Sequence, residues 1–435
     1  MFPIFDLTLQ INRFPIRSAK AALKKINNYT PAEKEIFIEQ QKAAIVDFHI
    51  KNNSFYRSLV PVYPINWEAL PVLNKKNLQV PLVNRFSDGY TTTNSYSNKT
   101  SGSSGTPFVF AKDKYCHALT WASNFMRFGW HNIDLNSSYQ ARFYGIPMEF
   151  LPNKKERFKD FISNRYRFPI FDLSDVVLEK ILNDFKHKKF DYINGYTSAI
   201  VLFAKFLRDK NLYLNKICPT LKVCVVTSEM LFEDDKLLLE TQFGIPVINE
   251  YGASELDLIA FENAQGEWLV NAETIFVEIL DHDNQVLPYG EEGRIVITSL
   301  FNKANPFIRY DIGDIGILDK KSTLAKPILK KLIGRTNDMA ILPSGKKSPG
   351  LTFYYVTKSI IEDNGNVKEF VITQSKIALF EVEYVSETKL DVVAIQKIQK
   401  AIDRYLEPNL KFIFSRKETL QRTNRGKLKQ FTSLL

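Results

Sequence analysis

The sequence predicts an α/β protein. A large N-terminal part holds doubly wound sheets and a β-rich subdomain, and a small α+β part follows it. Two observations carry this. From residue 174 onward helical and strand patterns alternate, and Leu221 to Thr227 (LKVCVVT) is a β-branched apolar run of the kind buried in parallel sheets. From 267 to 318 the pattern changes to short antiparallel strands, and beyond Gly334-Arg335 short strands and helices mix.

Taken in order, residues 16–60 read as helical. Thr30-Pro31-Ala32-Glu33 is a helix start, with proline at the first helical position and an acid in the first turn. A polar stretch, Ser87 to Thr100, leads into TSGSSGTP (Thr100 to Pro107), and Pro107 to Ala111 is a short strand. Residues 113–130 carry aromatics at Tyr115, Trp121, Phe125, Phe128 and Trp130, a stripe that reads as core. Leu173 to Lys186 is a helix capped by Ser174, Asp191 to Asn194 a strand, and Ser198 to Lys210 a helix. After the Leu221 strand, Phe232 to Phe243 is a helix closed by Gly244, and Pro246 to Asn249 is a strand. Thr227-Ser228-Glu229 and Glu250-Tyr251-Gly252 then fall beyond the carboxyl ends of strands, where ligands bind in such sheets. Trp268-Leu269-Val270, Ile275 to Leu280 and Arg294 to Ser299 are the strands of the β-rich subdomain. The last part contains strands at Val367 to Thr373 and Leu379 to Val385, and helices at Leu351 to Ile361 and Val392 to Leu406. The domains are therefore placed at 1–335 and 336–435.

The 435 residues are 45% hydrophobic, which excludes a disordered chain. The net charge of +10 suits an anionic ligand, but the basic residues are spread along the chain, so no nucleic-acid partner is expected. Cys116, Cys218 and Cys224 form no CxxC pair and no metal spacing, which points to a reducing compartment. The N-terminus lacks a signal-peptide pattern and no stretch approaches 18 apolar residues. The expectation is a cytoplasmic protein without a transmembrane segment. Peripheral membrane contact and a homodimer are left open.

Five polar clusters carry chemistry. Thr100 to Thr106 offers glycines and hydroxyls that can wrap a phosphate, and it lacks the GK[ST] ending of a Walker loop. Asn249 to Glu255 (NEYGASE) places an aromatic ring and an acid just past a strand. Arg309 to Asp314 (RYDIGD) places an acid after glycine, at a strand end or in a hairpin turn. Gly334 to Met339 (GRTNDM) marks the domain break, and Arg422 to Lys429 (RTNRGKLK) has one lysine after a glycine. Singly, each also reads as a linker, a cap, a turn or a solvated tail.

Their order resembles the superfamily of AMP-forming, carboxylate-activating enzymes. Within it the chain resembles phenylacetate-CoA ligase and the CapK-type proteins of capsular polysaccharide gene clusters. NNSFYR, LPVLNKKNL, TSEML and PFIRYDIGD look like the marks of that subfamily. The resemblance implies a small, mobile C-terminal domain that rotates between two half-reactions. It implies ATP and Mg²⁺, a small-molecule carboxylate as substrate, and CoA as the default acceptor, with a sugar amine or hydroxyl as the alternative. A non-catalytic polysaccharide-assembly protein that keeps the fold is the second alternative.

By the same resemblance, Thr100, Ser101, Gly102, Ser103, Ser104, Gly105 and Thr106 hold the ATP phosphates. Glu229, Glu250, Tyr251 and Gly252 line the adenine and acyl pocket, and Glu255 binds Mg²⁺. Asp314 holds the ribose, Arg335 contacts ribose or phosphate, and Lys427 is the catalytic lysine. Two positions and one absence depart from the family pattern. Asn337 stands at the first acidic position of the hinge, Phe108 follows the phosphate loop where lysine is frequent, and no cysteine cluster precedes Gly334, so no zinc is expected.

Overall fold

The computed structural model describes residues 4–60, 66–100, 108–144, 157, 159–168, 170–335, 339–350, 354, 361, 367–405, 407–423 and 426–435. Its centre is a seven-stranded sheet. Five strands are parallel: β4 (Gln140–Phe143), β5 (Arg165–Phe168), β6 (Tyr192–Tyr196), β7 (Val223–Thr227) and β8 (Val247–Ala253). β9 (Asp257–Glu262) and β10 (Trp268–Val270) continue it antiparallel, in the order β10-β9-β8-β7-β6-β4-β5. All five residues of β7 are buried because both faces are covered. Cys224 and Val226 belong to the core on one face, with Leu182, Phe203 and Leu239 of the helices Asp175–His187, Thr197–Asp209 and Glu233–Phe243. Val223 and Val225 belong to the other, with Phe128 of the helix Lys114–Gly129. This is the doubly wound arrangement the alternation predicts.

A five-stranded sheet lies beside it. β11 (Ile275–Leu280), β12 (Glu292–Ser299), β13 (Tyr310–Leu318) and β14 (Leu329–Arg335) are antiparallel, and the two-residue β1 (Leu73–Asn74) joins β13 in parallel. β2 (Tyr96–Lys99) and β3 (Val109–Lys112) form a separate hairpin. β15 (Met339–Ile341) and β16 (Lys347–Pro349) pair antiparallel by themselves, and the C-terminal sheet contains β17 (Val367–Lys376), β18 (Leu379–Ser386), β19 (Lys411–Lys417) and β20 (Phe431–Ser433), in the order β19-β18-β17-β20. The helix Val392–Tyr405 belongs to this part, and its Ile398 is buried in the same core as Phe370 and Phe380.

Local chemistry explains the ends of these elements. Glu33 accepts from the Thr30 N–H at 2.8 Å, and Thr30 Oγ1 accepts from the Glu33 N–H, so the helix Pro31–Asn52 starts with a full capping box. Gly244 takes φ +64 and ends the helix Glu233–Phe243 in the left-handed conformation. The main chains of β4 and β6 approach closely at Gly195, where a Cβ would lie 2.4 Å from the Phe143 carbonyl oxygen.

The structure revises several expectations. Trp268–Val270 belongs to the seven-stranded sheet, because it pairs with Ala260–Glu262 before the chain turns at Asn271 to begin β11. β8 runs on to Ala253, so Glu250, Tyr251 and Gly252 lie within a strand, held there by antiparallel pairing with β9. Asp314 lies inside β13, at neither a strand end nor a hairpin turn. The β6 strand extends to Tyr196, and the polar stretch before the Gly/Ser loop contains β2. Ser174 precedes its helix without a side-chain cap bond. Most of the expected helix at Leu351 to Ile361 lies outside the described residues.

Candidate active site

A cavity of about 740 Å³ opens where the carboxyl end of β7, β8 from Asn249 onward and the first half of β13 meet the loop before β20. It brings together Thr100, Glu229, Glu250, Tyr251, Gly252, Glu255, Asp314, Arg335 and Lys427. Ser101, Gly102, Ser103, Ser104, Gly105 and Thr106 of the expected phosphate loop, and Asn337 of the expected hinge, lie outside the described residues. The base of the loop is described. The Thr100 N–H donates to the Phe108 carbonyl at 2.9 Å, and the Phe108 N–H donates to Thr100 Oγ1 at 3.0 Å, closing the β2–β3 hairpin at the cavity wall.

A bulge in β13 aims Asp314. Asp311 pairs with Val296 and Ile315 with Arg294, so three residues of β13 face one of β12, and Gly313 takes φ +84 there. The Asp314 carboxylate accepts from the Tyr251 hydroxyl at 2.7 Å and pairs with Arg335 Nε at 3.2 Å. Burial and Asp314 push the Tyr251 phenol far above its ordinary range, so it remains a donor. Glu255 is 8% exposed, and its Oε1 accepts from the Tyr310 hydroxyl at 3.1 Å. Burial, then Glu255, raises the Tyr310 phenol in the same way.

Glu250 accepts from Thr227 Oγ1 at 3.0 Å. Burial raises its carboxyl above the usual carboxylate range, while the Thr227 bond and Arg142 pull the other way. Glu229 follows Ser228, which takes the left-handed φ of +71 at the end of β7. Both oxygens of Glu229 accept backbone bonds, from the Ser198 N–H at 2.7 Å and from the Leu428 N–H at 2.9 Å. Lys427 comes from the C-terminal part and reaches the cavity, with its Nζ 5.7 Å from the centre of the Tyr196 ring. Its own N–H donates to Thr423 Oγ1 at 3.0 Å, and Gly426 takes φ +85.

Several lining residues were not assigned from the sequence. Asn74, Lys75 and Lys76 reach the cavity because β1 pairs with Tyr310 and Asp311. They lie within LPVLNKKNL, and the two adjacent lysines were the available signal. His117, Thr120, Trp121 and Asn124 form one face of the helix Lys114–Gly129 and also line the cavity. Trp121 thus serves both the core, against Phe5 at 4.7 Å, and the cavity wall. The signal was the polar residues at helical spacing around the aromatic stripe. His117 stacks on Tyr96 at 3.9 Å, and burial lowers it to about 4, so it is neutral.

The cavity thus places cationic Lys75, Lys76, Arg335 and Lys427 around buried acids. It can hold a polyanion, one divalent cation at Glu255 and a vicinal diol at Asp314. Among the described residues, the one cluster with metal-ligand spacing is Asp281-His282-Asp283, on a turn outside this cavity. No helix among the described residues is long and apolar enough to cross a membrane.

No family model matches the chain. It is 31% identical over 163 residues to "Protein CapK" of Staphylococcus aureus, a stretch covering 37% of this chain and 34% of that protein. It is 30% identical over 128 residues to the phenylacetate-coenzyme A ligase of Aromatoleum evansii, covering 28% of this chain and 29% of that one. The matched stretch therefore spans about a third of the length of these relatives. Among solved structures, 2-hydroxyisobutyryl-CoA ligase in the postadenylation state, in complex with 2-HIB-AMP, superposes with a TM-score of 0.70 at 16% identity. That alignment covers 92% of this chain and 89% of the ligase. The same ligase in the thioesterification state, in complex with 2-HIB-AMP and CoA, gives a TM-score of 0.57 at 17% identity, over 93% of this chain and 90% of that one. The chain has the fold of the AMP-forming ligases and resembles the phenylacetate-CoA ligase and CapK proteins in sequence.

Proposed function

We propose that the chain activates a carboxylic acid with ATP, releasing pyrophosphate and forming an acyl-adenylate, and then transfers the acyl group to coenzyme A. The observation that carries this is Lys427 in one cavity with Tyr251, Glu255 and Asp314. The reading divides the chain into domains at 1–335 and 336–435, the second carrying the lysine into the site of the first. The greater likeness to the postadenylation state than to the thioesterification state of one ligase supports this.

In the first half-reaction a carboxylate oxygen attacks the α-phosphorus and the bond to pyrophosphate breaks. Two anions must meet, so positioning and charge stabilisation supply most of the rate. Lys427 stands between the carboxylate and the α-phosphate. Thr100 and the loop it opens hold the leaving pyrophosphate. Tyr251 packs on the adenine, Gly252 keeps the strand face beside it free of a side chain, and Glu250 closes the pocket. Asp314 and Arg335 hold the ribose, where the ribose hydroxyls replace part of the present Asp314–Arg335 contact.

Glu255 fits a magnesium ion. It is one buried carboxylate fixed by Tyr310, and magnesium is commonly bound by one or two protein carboxylates with substrate phosphates and water. Bound there, the ion would neutralise phosphate charge. In the second half-reaction the thiol sulfur bonds to the acyl carbon, the carbon–oxygen bond to AMP breaks, and the thiol proton passes to solvent.

The test is ATP–pyrophosphate exchange with Mg²⁺ across aryl, fatty and amino acids, repeated with CoA and amino sugars as acceptors. The proposal expects exchange with at least one acid and a CoA thioester of it. Absence of exchange across the panel overturns it. An acyl amino sugar without a thioester would replace CoA as the acceptor.

A further inference from the structure

We infer that Glu229 is a positioning residue that latches the Lys427 loop into the cavity, and that Arg422 is the second point of that latch. The inference rests on the proposed adenylating function for its consequence, but on bonds within the structure for its existence. Glu229 lines the cavity, yet each of its oxygens is held by a backbone N–H. One bond comes from Ser198, in the first turn of the helix Thr197–Asp209, where unpaired N–H groups and the helix dipole favour an anion. The other comes from Leu428, next in the chain to Lys427.

Arg422 makes the second tie. Its Nη1 donates to Ser198 Oγ at 3.1 Å and its Nη2 to Glu369 Oε2 at 2.7 Å, with the side chain 5% exposed. Met230 and Phe232, just after Glu229, belong with the C-terminal core that holds Tyr354 and Phe370. Phe232 stacks on Tyr354 with ring centroids 6.2 Å apart. The turn carrying the lysine is itself closed, since the Thr423 N–H donates to the Lys427 carbonyl and the Gly426 N–H to the Thr423 carbonyl.

Lys427 is thus fastened to the β7 end by a charge-assisted bond from the residue next to it. Any rotation of the C-terminal part must break the Glu229–Leu428 and Arg422–Ser198 bonds together. Hydrogen bonds to a charged group are roughly twice as strong as neutral ones, so the latch biases the chain toward the lysine-in state and its rupture toward the lysine-out state.

The test uses Glu229→Gln and, on the facing side, Ser198→Ala, in the full chain. Hydrogen exchange by mass spectrometry on peptides spanning residues 423–430 needs no substrate. The latch predicts at least about tenfold faster exchange of these peptides in Glu229→Gln, and a smaller increase in Ser198→Ala, with the rest of the map unchanged. Unchanged exchange in Glu229→Gln overturns the latch, whether or not the protein proves to be an adenylating enzyme. With an acid that supports exchange in the wild type, the loss in pyrophosphate exchange must exceed the loss in thioester formation from the preformed adenylate by at least about tenfold. A raised KM for ATP alone, with both half-reactions equally affected, makes Glu229 a pocket residue and overturns the latch.

Discussion

Two carboxylates, one buried and one half-buried at the cavity, behave in opposite ways. Glu273 is 3% exposed and pairs with Arg127 at 2.6 Å and Lys34 at 2.9 Å. Burial opposes its charge, but the two cations overcome burial and hold the carboxyl at about 2. Glu250 lines the cavity, with Thr227 as its hydrogen-bond donor and Arg142 as the cation acting on it, and burial wins, leaving its carboxyl raised. The first is a closed structural knot that joins the helices Pro31–Asn52 and Lys114–Gly129 to the segment before β11. The second is a half-buried acid at the cavity whose desolvation Thr227 and Arg142 offset only in part. An acid with a raised pKa in a cleft is a candidate for a functional role.

Breaking the knot has the largest expected effect. Glu273→Gln leaves the buried Arg127 and the half-buried Lys34 without their carboxylate, and urea unfolding should show a loss of about 3–5 kcal/mol. The pH dependence follows in sign. A carboxyl lowered from 4.5 to about 2 contributes stability that is present above the ordinary value and lost as pH falls toward 2. The wild type should therefore lose about 3 kcal/mol across that window, and the variant should lack this slope. An acid limb of equal steepness in both proteins would move the stabilisation elsewhere.

On the cavity side, Lys427→Ala should lower pyrophosphate exchange by about 10²–10³-fold, the usual effect of removing one donor from a developing anion. Its effect on transfer from preformed adenylate should be smaller, and equal damage to both steps would remove Lys427 from the first. Asp314→Asn should raise the KM for ATP by roughly tenfold, while the Asn carbonyl still accepts from Tyr251. An unchanged KM would make Asp314 a partner of Tyr251 and Arg335 alone.

The smallest effect is expected at Glu250. A raised carboxyl contributes stability that is present below the ordinary value and lost as pH rises through its folded value. Glu250→Gln should thus be within about 1 kcal/mol of the wild type at neutral pH, on the stabilising side, and should flatten the fall in stability above pH 4.5. A large destabilisation would make Glu250 a knot like Glu273.

What was legible in the sequence follows the same division. The capping box at Thr30, the left-handed Gly244 and the β7 run are written in residue types, so their elements were found. The polar clusters were also legible, because hydroxyls, glycines and single acids in apolar surroundings stand out. The β13 bulge was not, since it arises from pairing with β12 and shows only as Gly313. β8 was cut short because pairing with β9 extends it through Tyr251-Gly252. β1 has two residues and gains its strand character from β13. The Glu229–Leu428 bond spans 199 residues and ends on a backbone N–H, which every residue but proline carries.

The central claim is that this cavity transfers an adenylyl group to a carboxylate. The most direct measurement is the path of oxygen from a carboxylate labelled with ¹⁸O, using an acid that supports exchange, with ATP and CoA. The account predicts one labelled oxygen in the AMP released with the thioester, because the carboxylate oxygen bonds to the α-phosphorus and stays there. Unlabelled AMP, or ADP and phosphate as the products, would contradict it.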